Sequence, residues 1–399
     1  MGNDNVIFTR RIKKLQQILS ADNSVLIISG NNEYPKSEDQ KFRYRNSNLY
    51  YLTGTLNQNL GIIISAKSTF VFEWQSVDRV WETVIEDPVD VATRLKSQLI
   101  KYSEIWDVIE GHSAIFVERI HSPVSSAIVN KLLSENLQKI FNKPMTIKPV
   151  ELLLTPLREI KDDLELQIMK EGALKAKTVF EKTLGFIHPG LSEIDIRHFL
   201  LKFIYEVGCE PAFEPIVAAG VNAATLHHTP LNKRWSPGEC LLLDFGVKWR
   251  EYCVDITRVL LSRPNVNLKK IYCLARDANA YLREHLQAGM YFNDLQKSVQ
   301  GFLNRGLRKL YGTKNFNIKN IFPHSWGHSI GLDVHDASFI RCNSKASIKS
   351  GMVVTVEPGL YFKENFRCGV RVEDTVLVIE KGCVNLTESL PSDLEEITI

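Results

Sequence analysis

The sequence predicts a two-domain protein of the mixed α/β (α+β) class. Its 399 residues exceed the length of an ordinary single domain, and a hydrophobic fraction of 44% suffices for sizeable cores. Before residue 152, short apolar segments typical of strands alternate with helical stretches. After it, a pair of helices followed by an antiparallel hairpin occurs twice. We therefore expect one domain over residues 1–152 and a second over residues 153–399.

The first domain begins with a helix-like segment over residues 10–20 and a strand-like segment over 24–30. Two apolar runs, at 60–65 and 69–74, have the length and composition of strands. The sequence Leu-Thr-Pro at 154–156 is expected to be a linker that ends this domain, because proline interrupts regular structure.

Capping patterns predict where the helices of the second domain begin. Asp162 precedes Glu165 by three residues, and Ser192 precedes Asp195 by three, each ahead of a run with helical apolar spacing. Gly208 is the stop signal of the second of these helices. Two more helices are predicted over residues 267–287 and 293–311.

Two acidic residues, Asp244 and Asp255, lie in strand-like segments joined by the mostly polar stretch 248–251, which suits a hairpin turn. A turn centred on Trp249 and Arg250 places the two aspartates directly opposite each other. Like charges at that spacing, about 4.5–5.5 Å between Cβ atoms, destabilise a sheet. A cation between them would convert the repulsion into a binding site, but two solvated aspartates explain this pair equally well.

Three further residues of ligand type follow. His328 lies in the segment 323–336, which holds three of the ten histidines; Glu357 ends an apolar strand; Glu373 lies inside a β-branched strand over 369–378. Carboxylates flanked by valine and leucine are costly to bury without a partner. One alone would more often be a paired structural charge, whereas four beside a histidine cluster favour metal. Four carboxylates and one imidazole suit a pair of hard or borderline divalent ions.

The motifs around these residues resemble the signature of the pita-bread metallopeptidases, the family of methionine aminopeptidase, prolidase, aminopeptidase P and creatinase. Creatinase-like relatives have lost ligands, whereas all five positions are filled here, so the resemblance implies a metal-dependent peptidase. The five motifs are Leu-Asp-Phe-Gly at 243–246, Asp-Ile-Thr-Arg at 255–258, Gly-His-Ser-Ile-Gly at 327–331, Thr-Val-Glu-Pro-Gly at 355–359 and Arg-Val-Glu-Asp at 371–374.

The aromatic segment 42–54 looks like a motif of the N-terminal domain of aminopeptidase P and the related prolidases. The resemblance therefore implies a mixed α/β N-terminal domain of that type, followed by a pseudo-symmetric pita-bread catalytic domain. Taken by itself, the segment is equally typical of a buried aromatic strand.

The resemblance also implies a role for each metal ligand. Asp255 and Glu373 bridge two divalent ions, Asp244 chelates one of them, and His328 and Glu357 bind the other. Glu357 also acts as the base, and a hydroxide that bridges the ions is the nucleophile. Manganese is the ion that the resemblance favours. Cobalt and zinc suit the same ligands, and raw affinity favours zinc.

Further residues complete the implied site. His227 contacts the peptide near the scissile bond, His335 donates to the developing oxyanion, and His324 helps to hold the residue on the proline side. Arg371 shares the strand face of the glutamate two residues later by alternation, and orients carboxylates or substrate. Trp81 corresponds in position to a family tryptophan that caps the proline pocket from a neighbouring subunit, although a core or surface tryptophan explains it as well.

The predicted function is that of a metal-dependent exopeptidase that releases the N-terminal residue from peptides with proline at the second position. The Xaa-Pro bond has no N–H, so it needs a dedicated pocket. Two alternatives remain open: a prolidase, which cleaves only Xaa-Pro dipeptides, and a non-catalytic peptide-binding protein on the same fold. Because family members often pair, we expect a homodimer or homotetramer.

Composition argues against several other classes of protein. The net charge of +3 is small, and no Lys/Arg cluster suits nucleic acid. No apolar run approaches the roughly 20 residues that span a membrane, and the first residues lack the pattern of a signal peptide. Seven cysteines without CxxC spacing suit free thiols in a reducing compartment. We expect a cytoplasmic protein without nucleic-acid or membrane partners.

Overall fold

The computed structural model divides the chain into two compact units, Met1–Pro156 and Leu157–Ile399. The predicted tryptophan, Trp81, and two residues of the aromatic motif, 43 and 44, lie outside the described residues. The structure describes residues 4–30, 34–37, 40–42, 45–74, 85–118, 146–312, 316–336 and 346–399.

The first unit is built on a mixed six-stranded sheet in the order β6-β5-β4-β1-β7-β8. Strand β1 is antiparallel to β4 and parallel to β7, and its residues are buried throughout. The elements are α1 Asp4–Ser20, β1 Ser24–Ser29, β2 Tyr34–Ser37, β3 Gln40–Phe42, α2 Ser47–Thr53, β4 Leu60–Ser65, β5 Thr69–Glu73, α3 Pro88–Leu95, β6 Gln98–Lys101, a 3₁₀ turn Tyr102–Glu104, α4 Ile105–Ile109, β7 Ala114–Val117 and β8 Thr146–Pro149.

Residues 47–53 of the aromatic motif form helix α2, so the interpretation of the motif as a buried strand is wrong for this part. The side chain of Asn46 accepts hydrogen bonds from the backbone N–H groups of Asn48 and Leu49, at 2.9 and 3.1 Å, and thereby caps α2. Gly54 ends the helix in the left-handed conformation, with φ 69°. The seven residues between the cap and the stop signal are all helical, so this part of the motif is not a strand.

The second unit contains two helix pairs, each followed in the chain by an antiparallel hairpin, as predicted. Helices α6 and α7 precede the hairpin β11–β12, and α8 and α9 precede the strands β13–β16. The elements are α5 Glu151–Glu159 (which begins before the unit), α6 Asp163–Leu184, α7 Glu193–Glu206, β9 Glu210–Pro211, β10 Ile216–Ala219, a 3₁₀ turn Gly220–Ala224, β11 Cys240–Trp249, β12 Tyr252–Leu261, α8 Val266–His285, α9 Phe292–Tyr311, α10 Ile318–Ile321, β13 Val353–Val356, β14 Gly359–Phe362, β15 Cys368–Arg371, β16 Asp374–Val378 and β17 Cys383–Asn385.

Both predicted capping boxes are confirmed. The Asp162 side chain accepts from the N–H of Glu165, and the Glu165 side chain accepts from the N–H of Asp162. Ser192 and Asp195 make the reciprocal pair at the start of α7. Gly208 follows α7 with φ 77°, the conformation expected of a glycine stop. Local sequence therefore sets where these helices begin and end.

The predicted linker at 154–156 is wrong, because Pro156 lies inside α5. A proline cannot donate to the carbonyl four residues earlier, and here that residue is Leu152, whose side chain is exposed. The first turn is held instead by the carbonyl of Val150, which accepts from the N–H groups of Leu153 and Leu154 at 2.9 and 3.0 Å. Losing one hydrogen bond on a solvent-facing side is a cost that this helix tolerates.

Candidate metal centre

The hairpin β11–β12 places Asp244 and Asp255 on one buried face. Asp244 pairs with Thr257, and Asp255 pairs with Gly246. The two aspartates are therefore diagonal neighbours, and the prediction that they lie directly opposite each other is wrong. Because pairing partners in an antiparallel ladder share a face, and alternate residues of a strand do too, the diagonal arrangement still brings both carboxylates together.

The turn between these strands lies one residue later than predicted. Trp249 and Tyr252 pair across the ladder, and the two residues between them, Arg250 and Glu251, have φ values of 46° and 68°. Two successive left-handed residues are the geometry of a type I′ hairpin turn. Trp249 is held in the strand because its indole N–H donates to a carboxylate oxygen of Glu171 at 2.9 Å.

Glu357 and Glu373 occupy breaks between strands. Glu357 follows β13, and its N–H donates to the carbonyl of Trp326 at 2.8 Å. Glu373 lies between β15 and β16, which belong to different sheets, so the predicted continuous strand over 369–378 is wrong. Its N–H donates to the carbonyl of Thr257 at 3.1 Å, which ties the glutamate to the first hairpin.

His328 lies in an extended segment beside β13. Its N–H donates to the hydroxyl of Thr355 at 3.0 Å, and its carbonyl accepts from the N–H of Thr355 at 2.8 Å. The ring atom Nδ1 is 3.2 Å from the carbonyl of Ser329, so Nδ1 carries the hydrogen and Nε2 keeps the lone pair that can bind a metal. Nε2 is 3.7 Å from Asp255 Oδ2 and 3.6 Å from Glu357 Oε1.

These side chains fit a cation. One ligand atom from each of Asp255, His328 and Glu373 lies within 4.8 Å of the others. Two buried carboxylate oxygens, Asp244 Oδ1 and Asp255 Oδ1, have no hydrogen-bond partner, although buried oxygens are normally paired. Burial, followed by the repulsion of His335, lowers the pKa of His328 to about 4, which keeps its ring neutral as a ligand must be.

The electrostatics of the four acids also indicate a cation site. Burial, and then the charges of neighbouring carboxylates, raise the pKa values of Asp255 and Glu373 well above the ordinary range. Burial also raises the pKa of Asp244, and raises that of Glu357 to about 7. One cationic side chain, Arg371, counters these four acids directly. Divalent cations would supply the missing positive charge.

Arg371 anchors the set. Its guanidinium forms an ion pair with Asp244, Nε donates to the hydroxyl of Thr257 at 2.9 Å, and Nη1 donates to the hydroxyl of Tyr361 at 2.8 Å. That tyrosine hydroxyl is in turn 2.9 Å from His324 Nε2. A continuous hydrogen-bonded chain therefore runs from a carboxylate to a histidine on the cavity wall.

Apart from Trp81, which lies outside the described residues, the site residues predicted from the sequence line one cavity of about 1240 Å³ within the second unit. They are His227, Asp244, Asp255, His324, His328, His335, Glu357, Arg371 and Glu373.

Comparison with known proteins decides the family. Residues 167–380, more than half of the chain, match metallopeptidase family M24, and residues 8–107 match the aminopeptidase P N-terminal domain. The chain belongs to metallopeptidase family M24. It is a peptidase of a family that uses divalent metals, as the motifs predicted.

The relatives of this M24 chain agree with that placement. An uncharacterized peptidase of Bacillus subtilis is 29% identical over 361 residues, covering 88% of this chain and 93% of that protein. The Xaa-Pro dipeptidase of Pyrococcus furiosus is 27% identical over 358 residues, covering 88% and 94%. The low-pH form of Escherichia coli aminopeptidase P matches with a TM-score of 0.88 at 22% identity, covering 98% and 97%. That likeness confirms the predicted mixed α/β N-terminal domain and pita-bread domain.

Besides the ligand His328, three histidines of the M24 domain that were predicted from the sequence line the cavity with the acidic cluster. His324 Nδ1 is 3.5 Å from Glu357 Oε2, and the rings of His328 and His335 are 4.2 Å apart. His227 is exposed on the cavity wall. Burial lowers the pKa of His324 to about 3 and that of His335 below its usual value, so both rings are neutral at pH 7.

Two threonines of the site were missed in the sequence. Thr257 donates to Glu373 Oε2 at 2.6 Å, and Thr355 donates to Glu357 Oε1 at 3.3 Å. The signal was available: Thr257 lies two residues after Asp255, and Thr355 two residues before Glu357. Alternation places each threonine on the face of its acid.

Proposed function

We propose that this M24 peptidase is an Xaa-Pro aminopeptidase, which releases the N-terminal residue from peptides with proline at the second position. The observation that carries the proposal is that one cavity is lined by the four acids of the ligand set, by the ligand histidine His328 and by four further histidines. The match of residues 8–107 to the aminopeptidase P N-terminal domain supports it, since such a domain distinguishes these enzymes and the related prolidases from methionine aminopeptidases.

Two divalent ions would be held by the five ligand residues. Asp255 and Glu373 would be shared between the ions, Asp244 would serve one, and His328 and Glu357 the other. Manganese is our first candidate, and cobalt or zinc also suit a set of four carboxylates and one imidazole. When bound, such ions lower the pKa of water to about 7 and polarise a carbonyl oxygen.

The chain's own residues supply proton transfer and positioning. Glu357 is the candidate proton acceptor among these residues; in the metal-free chain, burial raises its pKa to about 7. His324 is held by its hydrogen bond to Tyr361, which fixes its ring toward the residue after the scissile bond. His335, neutral and exposed on the cavity wall, donates an N–H to the developing oxyanion, and His227, which lines the same cavity, contacts the peptide.

The arginines of the cavity favour longer peptides over dipeptides. Among the described lining residues the arginines are Arg197 and Arg371. Arg371 pairs with Asp244, and Arg197 pairs with Glu214, itself part of the wall. A dipeptidase must bind the free carboxylate of its substrate's proline, and both of these arginines already form an ion pair with an acid of the chain. An aminopeptidase has no such requirement.

A substrate comparison tests the assignment. We expect kcat/KM for Ala-Pro-Ala to exceed that for Ala-Pro by at least about tenfold, and Ala-Pro-amide to resemble the tripeptide because it lacks the carboxylate. Ala-Ala-Ala is the control for proline specificity. Turnover of Ala-Pro alone would establish a prolidase, the activity named for the Pyrococcus relative.

Metal dependence is tested on the same substrate. Chelation should abolish hydrolysis of Ala-Pro-Ala, and added manganese should restore it, with two ions per chain by elemental analysis. A protein that binds no metal and cleaves neither peptide would instead be a peptide-binding protein on this fold.

We further propose a cytoplasmic homodimer or homotetramer. The six cysteines in the described residues are free, which suits a reducing compartment. None of the helices in the described part of the chain is long and apolar enough to cross a membrane. Light scattering that finds only the monomer mass would reject the oligomer.

A further inference from the structure

Glu193, the first residue of α7, is fully buried and accepts four hydrogen bonds. Oε1 accepts from the N–H of Ala219 at 2.7 Å and from the side-chain amide of Asn222 at 2.9 Å. Oε2 accepts from the N–H of Leu231 at 2.9 Å and from His228 Nε2 at 2.8 Å. Each carboxylate oxygen therefore has two donors, the full set that a buried carboxylate needs.

These four donors surround His227 in the sequence. Two of them, at Ala219 and Asn222, come before it, and two, at His228 and Leu231, come after it. Residues 225–233 form neither helix nor strand, so no regular backbone pairing fixes the position of His227.

The start of α7 binds this segment in the other direction as well. The N–H of Glu193 donates to the carbonyl of Lys233 at 3.0 Å, and the N–H of Ile194 donates to the carbonyl of Leu231 at 3.3 Å. Ile194 also lines the cavity beside His227. The first turn of one helix thus holds the whole segment 219–233 against the cavity.

We propose that Glu193 is a positioning residue for His227, acting through the segment 219–231 on the peptide-binding wall. The inference rests on the proposed function, because His227 is given its role there. His228 then has a defined role. Its Nε2–H donates to Glu193, and this hydrogen bond fixes the position of the backbone next to His227. A carboxylate is required since an amide has one acceptor oxygen, and its NH₂ group would face two donors.

The test compares Glu193→Gln with Glu165→Gln. Glu165 is a matched control because it is also a buried carboxylate in the first turn of a helix of this unit, accepting from the N–H of Asp162 and from the hydroxyl of Tyr252. Asp162 and Tyr252 both lie outside the segment 219–231. Both variants should lose some thermal stability, so stability alone does not discriminate between them.

The first readout is hydrogen exchange of the metal-free protein, which does not depend on activity. In E193Q the amides of 219–231 should exchange at least about tenfold faster than in the wild type, since charge-assisted hydrogen bonds are lost. E165Q should leave that segment unchanged. Should E193Q not fold, His228→Ala removes one donor and is expected to give the same effect at smaller size. Unchanged exchange in the segment would overturn the proposal.

The second readout is a double-mutant cycle with His227→Ala on Ala-Pro-Ala. E193Q should lower kcat/KM by roughly a hundredfold, the cost of a misplaced positioning group, and H227A should then lower it little further. If the losses in kcat/KM caused by E193Q and H227A multiply in the double variant, the two residues act independently. That result would contradict the proposal and leave Glu193 with a role in stability only. If the wild type cleaves no peptide, the proposed function fails, and the exchange experiment alone decides whether Glu193 holds the segment.

Discussion

The two hairpins of the M24 domain carry their acidic pairs differently. In the first, β11 and β12 pair without interruption, and Asp244 and Asp255 are diagonal neighbours. In the second, the pairs Val356–Asp374 and Gly359–Arg371 belong to one register. That register places Glu357 opposite Glu373, yet neither residue joins the ladder of its hairpin.

The difference teaches how a sheet accommodates like charges. Directly opposed carboxylates destabilise a ladder, and Pro358 has no N–H to contribute to it. The second hairpin therefore opens at the glutamates and divides into two sheets, while the first keeps its ladder by offsetting the charges. Thr257 connects the two hairpins, since it pairs with Asp244 of the first and donates to Glu373 of the second.

The largest expected effect comes from removing one acid of each hairpin. Asp255→Asn and Glu373→Gln should each lower kcat/KM for Ala-Pro-Ala by at least about a thousandfold, with loss of bound metal by elemental analysis. The control Asp277→Asn alters an exposed acid on α8 and should behave as the wild type. If one variant keeps its metal and activity, the centre depends on the other hairpin alone.

Thr257→Val tests the residue shared by both hairpins. Valine keeps the shape but removes the hydroxyl that donates to Glu373 and accepts from Arg371. Groups that orient ligands are worth about 10–100-fold in metal affinity, and we expect a loss of that size in a metal titration. Thr183→Val is the control, because Thr183 is buried in α6 and its hydroxyl donates to the carbonyl of Val179 in the same helix. If T257V and T183V bind metal with equal affinity, Thr257 does not couple the two hairpins.

In the metal-free protein, the same substitutions that abolish activity should increase stability. The raised pKa values of Asp255 and Glu373 mean that the folded chain binds more protons than the unfolded one, so stability falls as pH rises above the ordinary carboxyl range. D255N and E373Q should therefore raise the free energy of unfolding at pH 8 by about 1–3 kcal/mol.

Urea denaturation in the presence of a chelator measures this gain. It should shrink as the pH is lowered from 8 to 5, since the wild-type carboxyls then take up protons. The exposed-acid variant D277N serves again as the reference. A wild-type protein whose metal-free stability rises with pH over this interval would show that burial does not dominate these carboxyls.

The residues of the site could be predicted from the sequence more completely than the backbone structure around them. Period-two alternation and capping pairs are local rules, so the buried face of β11–β12 and the starts of α6 and α7 followed from them. The bridge between Glu373 and Thr257 did not, because the two residues are more than a hundred positions apart. Nor did the role of Glu193, whose four donors lie 26 to 38 residues downstream. Contacts between distant segments leave no periodic signal.

The smallest effect concerns the turn of the uninterrupted hairpin. Glu251 has φ 68°, a conformation that glycine adopts without strain, so Glu251→Gly should stabilise the protein by about 0.5–1 kcal/mol. Activity should be unchanged, because the register of β11–β12 is fixed by its buried face and not by the turn. Arg263→Gly, at φ 42° beyond the end of β12, is the matched control and should give a similar gain in calorimetry. A fall in kcat/KM in E251G alone would mean that the turn sets the diagonal placement of the aspartates, and that the continuous hairpin is no more robust than the broken one.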